Sequence, residues 1–132
     1  MQYAVPRRGV PGAASLRRWA AGAPAGVVLR VVGAREGREL NRRFRNRDYA
    51  TNVLSFPYGG GSGDIVLCHP VVEKEAREQR KTLAAHYAHL VVHGVLHLRG
   101  FDHAKKADAS RMEREEARRL RRLGFGDPYA LE

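Results

Sequence analysis

Cysteine is nearly absent from this chain: Cys68 is the only one in 132 residues. No disulfide can form within the chain, and a reducing cytoplasm is the expected compartment, with Cys68 read as a small buried hydrophobe. Long apolar runs are missing as well. Runs such as Leu90 to Val92 are far too short to span a bilayer, so no membrane insertion is expected. The first twelve residues carry Arg7 and Arg8 with no apolar segment behind them, so export is not expected either. Acidic residues are outnumbered, 14 Asp and Glu against 24 Lys and Arg, for a formal charge of +10. Lysine is confined to Lys74, Lys81, Lys105 and Lys106, so most of this charge is guanidinium, whose forked donors suit phosphate oxygens. A solubilising surface would also be basic; a polyanion such as nucleic acid is the partner the charge favours.

What is present suffices for one ordinary domain over residues 1–132. The apolar share of 43% is that of a globular chain, which argues against disorder despite 29% charged residues. The only low-complexity stretch is the glycine cluster Gly59-Gly60-Gly61-Ser62-Gly63, and no repeat is visible.

Leu16, Trp19 and Ala20 at helical spacing predict a short helix over Ala13 to Ala21. The nearly continuous β-branched run from Val27 to Val32 predicts a strand buried on both faces. Helical spacing returns from Arg35 to Phe44. A second strand is predicted over Asn52 to Phe56, stopped by Pro57, and a third over Asp64 to Cys68. The short glycine connector makes these two an antiparallel hairpin, so the sheet is mixed. Helices follow from Val71 to Gln79, through Leu98 to a stop at Gly100, and from about Ala107 to Leu123 before Gly124. The class is α+β, a small mixed β-sheet packed against helices.

Four of the six histidines, His86, His89, His93 and His97, share one helical stripe. His93 and His97, one turn apart, can aim nitrogens at a common centre. Gly100 then ends the helix, and the turned chain brings His103 toward the same centre. Three neutral imidazoles leave a fourth tetrahedral position for water, the arrangement of a catalytic zinc ion rather than a structural one. Water bound there has its pKa lowered toward neutrality. Isolated helical histidine pairs arise by chance or as satisfied core residues; the third His after a helix-ending Gly is what favours metal. The spacing H-x-x-x-H-x-x-G-x-x-H is that of the metzincin metal site.

A metzincin peptidase carries Glu directly after its first His, as general base. Here that position is Gly94, so the peptidase reading loses its proton acceptor. Asp102, beside His103, reads as a partner for an imidazole N–H. His86 and His89, a turn or more before the triad, read as buried or hydrogen-bonded helix residues. The segment Leu40 to Arg47 sets four arginines around Phe44; alone it is a solvated face, and turned toward the zinc it could hold a scissile phosphate.

These residues together resemble the YbeY family, bacterial metal-dependent endoribonucleases of ribosomal RNA maturation and ribosome quality control. The likeness is carried by Leu40-Asn41 with Arg45, Thr51 to Pro57, Gly63-Asp64-Ile65, Glu75-Ala76 with Gln79, and His93-Gly94 through Asp102-His103, in the family's order. It implies that His93, His97 and His103 hold one Zn2+ and that Arg45 is important for activity. It also implies a zincin-like single domain with a central metal-binding helix and a positively lined cleft, single-stranded ribosomal RNA as substrate, including the 3′ end of the small-subunit precursor, and the small ribosomal subunit and an Era-type GTPase as partners. The stretch from Ala21 to Gly37 is shorter than the family usually has, which implies an N-terminal strand displaced or missing. The glycine cluster replaces a more polar loop. Two other readings stay open: a zinc hydrolase of a peptide or ester bond, and a ribosome-associated RNA-binding factor whose zinc is structural and which has no turnover.

Overall fold

A computed structural model describes residues 1–24, 26–59, 62–101 and 105–129. In chain order they form β1 (Gln2–Tyr3), α1 (Ala13–Trp19), β2 (Val27–Val32), α2 (Ala34–Arg45), β3 (Val53–Gly59), β4 (Ser62–Cys68), α3 (His69–Glu78), α4 (Leu83–Leu98) and α5 (Lys106–Arg122). The class is α+β. The sheet is mixed, in the order β1-β2-β4-β3, with β1, β2 and β4 parallel and β3 antiparallel to β4 at one edge.

Alternation along the strands divides the sheet into two apolar faces. Leu29 and Val31 of β2 and Ile65 and Leu67 of β4 point into the main core, with Leu16, Val91, Val95 and Met112. Val32, Leu54, Val66 and Cys68 point the other way, into a smaller core with Leu40, Phe56 and Val71 packed against it. Both faces are therefore covered, as the β-branched run of β2 predicts. Cys68 is buried and unpaired with any other cysteine.

The central helix α4 is apolar nearly all round, and it packs on β3 and β4 with α1, α3 and α5 around it. Thr82 caps its start by accepting from the Ala85 N–H at 3.1 Å. Its end is a Schellman turn: Gly100, at φ +96°, donates to His97 O and Phe101 donates to Leu96 O, both at 3.0 Å. The stop predicted at Gly100 is thus a left-handed residue, where a side chain would be strained.

Two expectations are corrected. Pro57 does not stop its strand; β3 continues to Gly59 with an irregularity between Pro57 and Gly59. Asn52 O accepts from Cys68 N, so the odd residues of β3 turn their backbone groups outward, and a residue without an N–H is tolerated on that open side. The N-terminal strand is neither displaced nor missing but reduced to two residues, extended by an Ala4 N–H bond to Val31 O at 2.8 Å.

Candidate metal centre and the cleft beside it

His93 and His97 lie on the one side of α4 that its neighbours leave half open, between the buried pairs Val91-Val92 and Leu96 with Leu98. The i,i+4 spacing brings their imidazoles edge to face, with Nε2 of each 3.1 Å from Nε2 of the other. Two nitrogens at about 2.05 Å from a shared tetrahedral zinc ion lie about 3.3 Å apart, so this pair needs little movement to hold one. His103 and Asp102 lie outside the described residues, and among the described residues no group of three or more His, Cys, Asp or Glu is placed to hold a metal.

Behind His93 stands a carboxylate that sequence reasoning missed. Glu116 of α5 is fully buried. Its Oε1 accepts from His93 Nδ1 at 2.7 Å, and its Oε2 accepts from His89 Nε2 at 2.8 Å and the Tyr129 hydroxyl at 2.5 Å. Burial alone would push this carboxyl up; the bonds from His89, His93 and Tyr129 outweigh it and hold the group down at about 2. Glu116 also raises the Tyr129 phenol, secondarily to burial. The signal was in the spacing: Met112, Glu116 and Leu120 form one stripe, and an acid on an apolar stripe wants a partner.

The other two histidines of the stripe are hydrogen-bonded within the fold, as expected. His86 is buried and meets Glu75 Oε1 at 2.9 Å; burial lowers its pKa against the opposing pull of Glu75. Glu75 Oε1 also accepts from Asn52 Nδ2 at 3.0 Å, which fixes the Asn52 side chain.

A cleft of about 450 Å³ opens in front of the histidine pair, bounded by Asn52, β3 residues 53–55 and Pro57, Leu98 and Arg45. Arg45 belongs to α2, on the far face of the sheet, and reaches the cleft over the edge strand. One of its five N–H donors is spent on Ser55 O at 2.6 Å, and the guanidinium lies 5.1 Å from the Phe56 ring centre. Phe56 in turn meets the exposed Phe44 edge to face at 5.4 Å. Of the four arginines in that segment, Arg45 is the one that lines the cleft.

Gly94 faces the opposite way, into the sheet. A Cβ there would sit 3.0 Å from Ile65 Cγ2 and 3.2 Å from Ser55 Oγ. The departure from the metzincin pattern therefore has a packing cause: α4 lies so close to β3 and β4 that a side chain at that position would crowd Ile65 and Ser55.

The family model described as Endoribonuclease YbeY matches residues 14–124. The chain is 49% identical over 138 residues to the Endoribonuclease YbeY of Nitrosomonas eutropha, covering 100% of this chain and 98% of that one. To the Endoribonuclease YbeY of Stenotrophomonas maltophilia it is 50% identical over 149 residues, covering 100% and 92%. A solution structure of a Thermotoga maritima protein superposes with a TM-score of 0.51 at 27% identity, covering 89% of this chain and 88% of that one.

Proposed function

From a chain that belongs to the YbeY endoribonuclease family, we propose a zinc-dependent endoribonuclease that cuts single-stranded RNA. The observation that carries this reading is the convergence of the His93 and His97 nitrogens on a cleft that Arg45 also lines. His93, His97 and His103 would hold one zinc ion. When bound, the ion supplies Lewis-acid polarisation and brings the pKa of a coordinated water toward neutrality.

The chain's own residues do the rest. Arg45, braced on Ser55 O and the Phe56 ring, presents a fixed positive charge where a scissile phosphate would enter, and stabilises charge that builds up on its oxygens. Asn52, held by Glu75, shapes the cleft wall. The physiological substrate under this reading is ribosomal RNA, including the 3′ end of the small-subunit precursor, in cytoplasmic ribosome maturation and quality control. The small ribosomal subunit and an Era-type GTPase are the partners it implies.

Peptide cleavage is disfavoured on two counts. Position 94 has no room for a general base. The outward backbone groups of β3, which an extended peptide would pair with, are partly spent: Val53 N–H on Asn52 Oδ1 at 2.6 Å, Ser55 O on Arg45, while Pro57 has no N–H to offer.

Chelation of the purified protein is expected to abolish cleavage of a single-stranded RNA, and zinc added back to restore it. Cleavage at full rate in metal-free protein would sink the proposal, and zinc-loaded protein that binds RNA without cutting it would favour the RNA-binding factor. Arg45→Glu is expected to lower the cleavage rate by about 100-fold, the order seen when one charge-stabilising donor is removed. The side chain is exposed, so the variant should melt near the wild-type temperature; unchanged cleavage would remove Arg45 from the reaction.

A further inference from the structure

Most of α5 is a charged surface helix: Glu113, Arg114, Arg118 and Arg121 are exposed, and Glu115 pairs with Arg118 and Arg119. Glu116 is the exception. Its side chain is 1% exposed, between Met112 and Leu120 one turn to either side, each 1% exposed. A carboxylate in such a place is a poor stabiliser, because desolvation consumes most of what its hydrogen bonds return, and an apolar side chain of similar size would pack there as well. Its two oxygens also divide their bonds in a definite way. Oε1 serves His93 Nδ1, while Oε2 is engaged by Tyr129, brought back by the turn that follows α5, and by His89 one turn before His93.

An ionised carboxylate only accepts, so the nitrogen facing it must carry the proton. A neutral imidazole with its proton on Nδ1 has its lone pair on Nε2, the nitrogen that faces His97 Nε2 at 3.1 Å. We propose that Glu116 is a positioning residue of the metal centre. It fixes His93 in the Nδ1–H tautomer and in the ring orientation that turns Nε2 toward the metal position, and Tyr129 and His89 clamp its second oxygen so that Oε1 stays on His93. This rests on the zinc reading above and goes beyond it, since it assigns a role to α5 and to the segment after it, neither of which reaches the cleft wall.

The test uses the full chain. In metal-free wild-type protein above the histidine pH range, the long-range nitrogen–proton NMR correlations of His93 should show the proton on Nδ1. A proton on Nε2 would overturn the proposal without any variant. Glu116→Gln replaces the charged acceptor with an amide that can accept at one end only. It is expected to weaken zinc binding 10- to 100-fold by chelator competition, and to mix the His93 tautomers. The metal-free melting temperature should be unchanged or higher. Tyr129→Phe keeps the His93 bond and should weaken zinc binding by less than the roughly 10-fold lower bound expected for Glu116→Gln. If Glu116→Gln melts lower yet binds zinc as the wild type does, the carboxylate is structural only and the proposal falls. If the wild type itself binds no zinc, the zinc reading fails first, and that outcome is separable because it appears before any substitution at position 116.

Discussion

His97→Ala is expected to leave a folded protein that retains almost no zinc and cleaves single-stranded RNA roughly a thousandfold more slowly or worse, a loss of about 4 kcal/mol in transition-state stabilisation. The side chain is half-buried at the cleft rather than packed in the core, so its removal leaves no cavity among apolar residues. What it removes is one of two nitrogens that stand 3.1 Å apart on adjacent turns of α4, and with it the chelate that this pair would form on one ion. Metal content and cleavage rate should fall together. A variant that loses its zinc yet cuts RNA at the wild-type rate would separate the metal from the chemistry.

Gly94→Glu is expected to cost about 4 kcal/mol of stability: overpacking against a rigid neighbour and burial of a carboxylate without a partner each contribute, and better helix propensity offsets only about 1. The Cβ alone would press on Ile65, which is fully buried among core side chains. A chain of this size should melt roughly 10–20 °C lower. Gly94→Ala, with the Cβ and nothing beyond it, should fall between the two. Neither variant should cleave a peptide, since a side chain at position 94 meets the sheet. A Gly94→Glu protein that melts with the wild type would mean α4 can lift from the strands, and the packing explanation for the missing general base would fall.

Much of the fold was legible because its signals are local. The β-branched run of β2 matches its observed span, and the hairpin of β3 and β4 follows from a connector too short for any other pairing. The stop at Gly100 is set by one residue's freedom at positive φ. β1 was illegible because two residues have no periodicity; it exists only because β2 offers a parallel partner. Pro57 was misread because the rule against proline in strands depends on which way the missing N–H points, and that depends on strand order.

The sequence by itself determined the histidine pair, since i,i+4 spacing on a helix places two imidazoles side by side whatever surrounds them, and it determined the mixed sheet and the basic balance. Only the tertiary structure decided the rest. Arg45 reaches the cleft because α2 packs on one face of the sheet beside an edge strand that its side chain can cross. Glu116 reaches His93 across 23 residues because α5 lays its apolar stripe on α4. Gly94 is glycine because of how near α4 lies to β3 and β4. Spacing along one helix is fixed by backbone geometry, whereas the distance between two elements is fixed by the side chains packed between them, which no local pattern encodes.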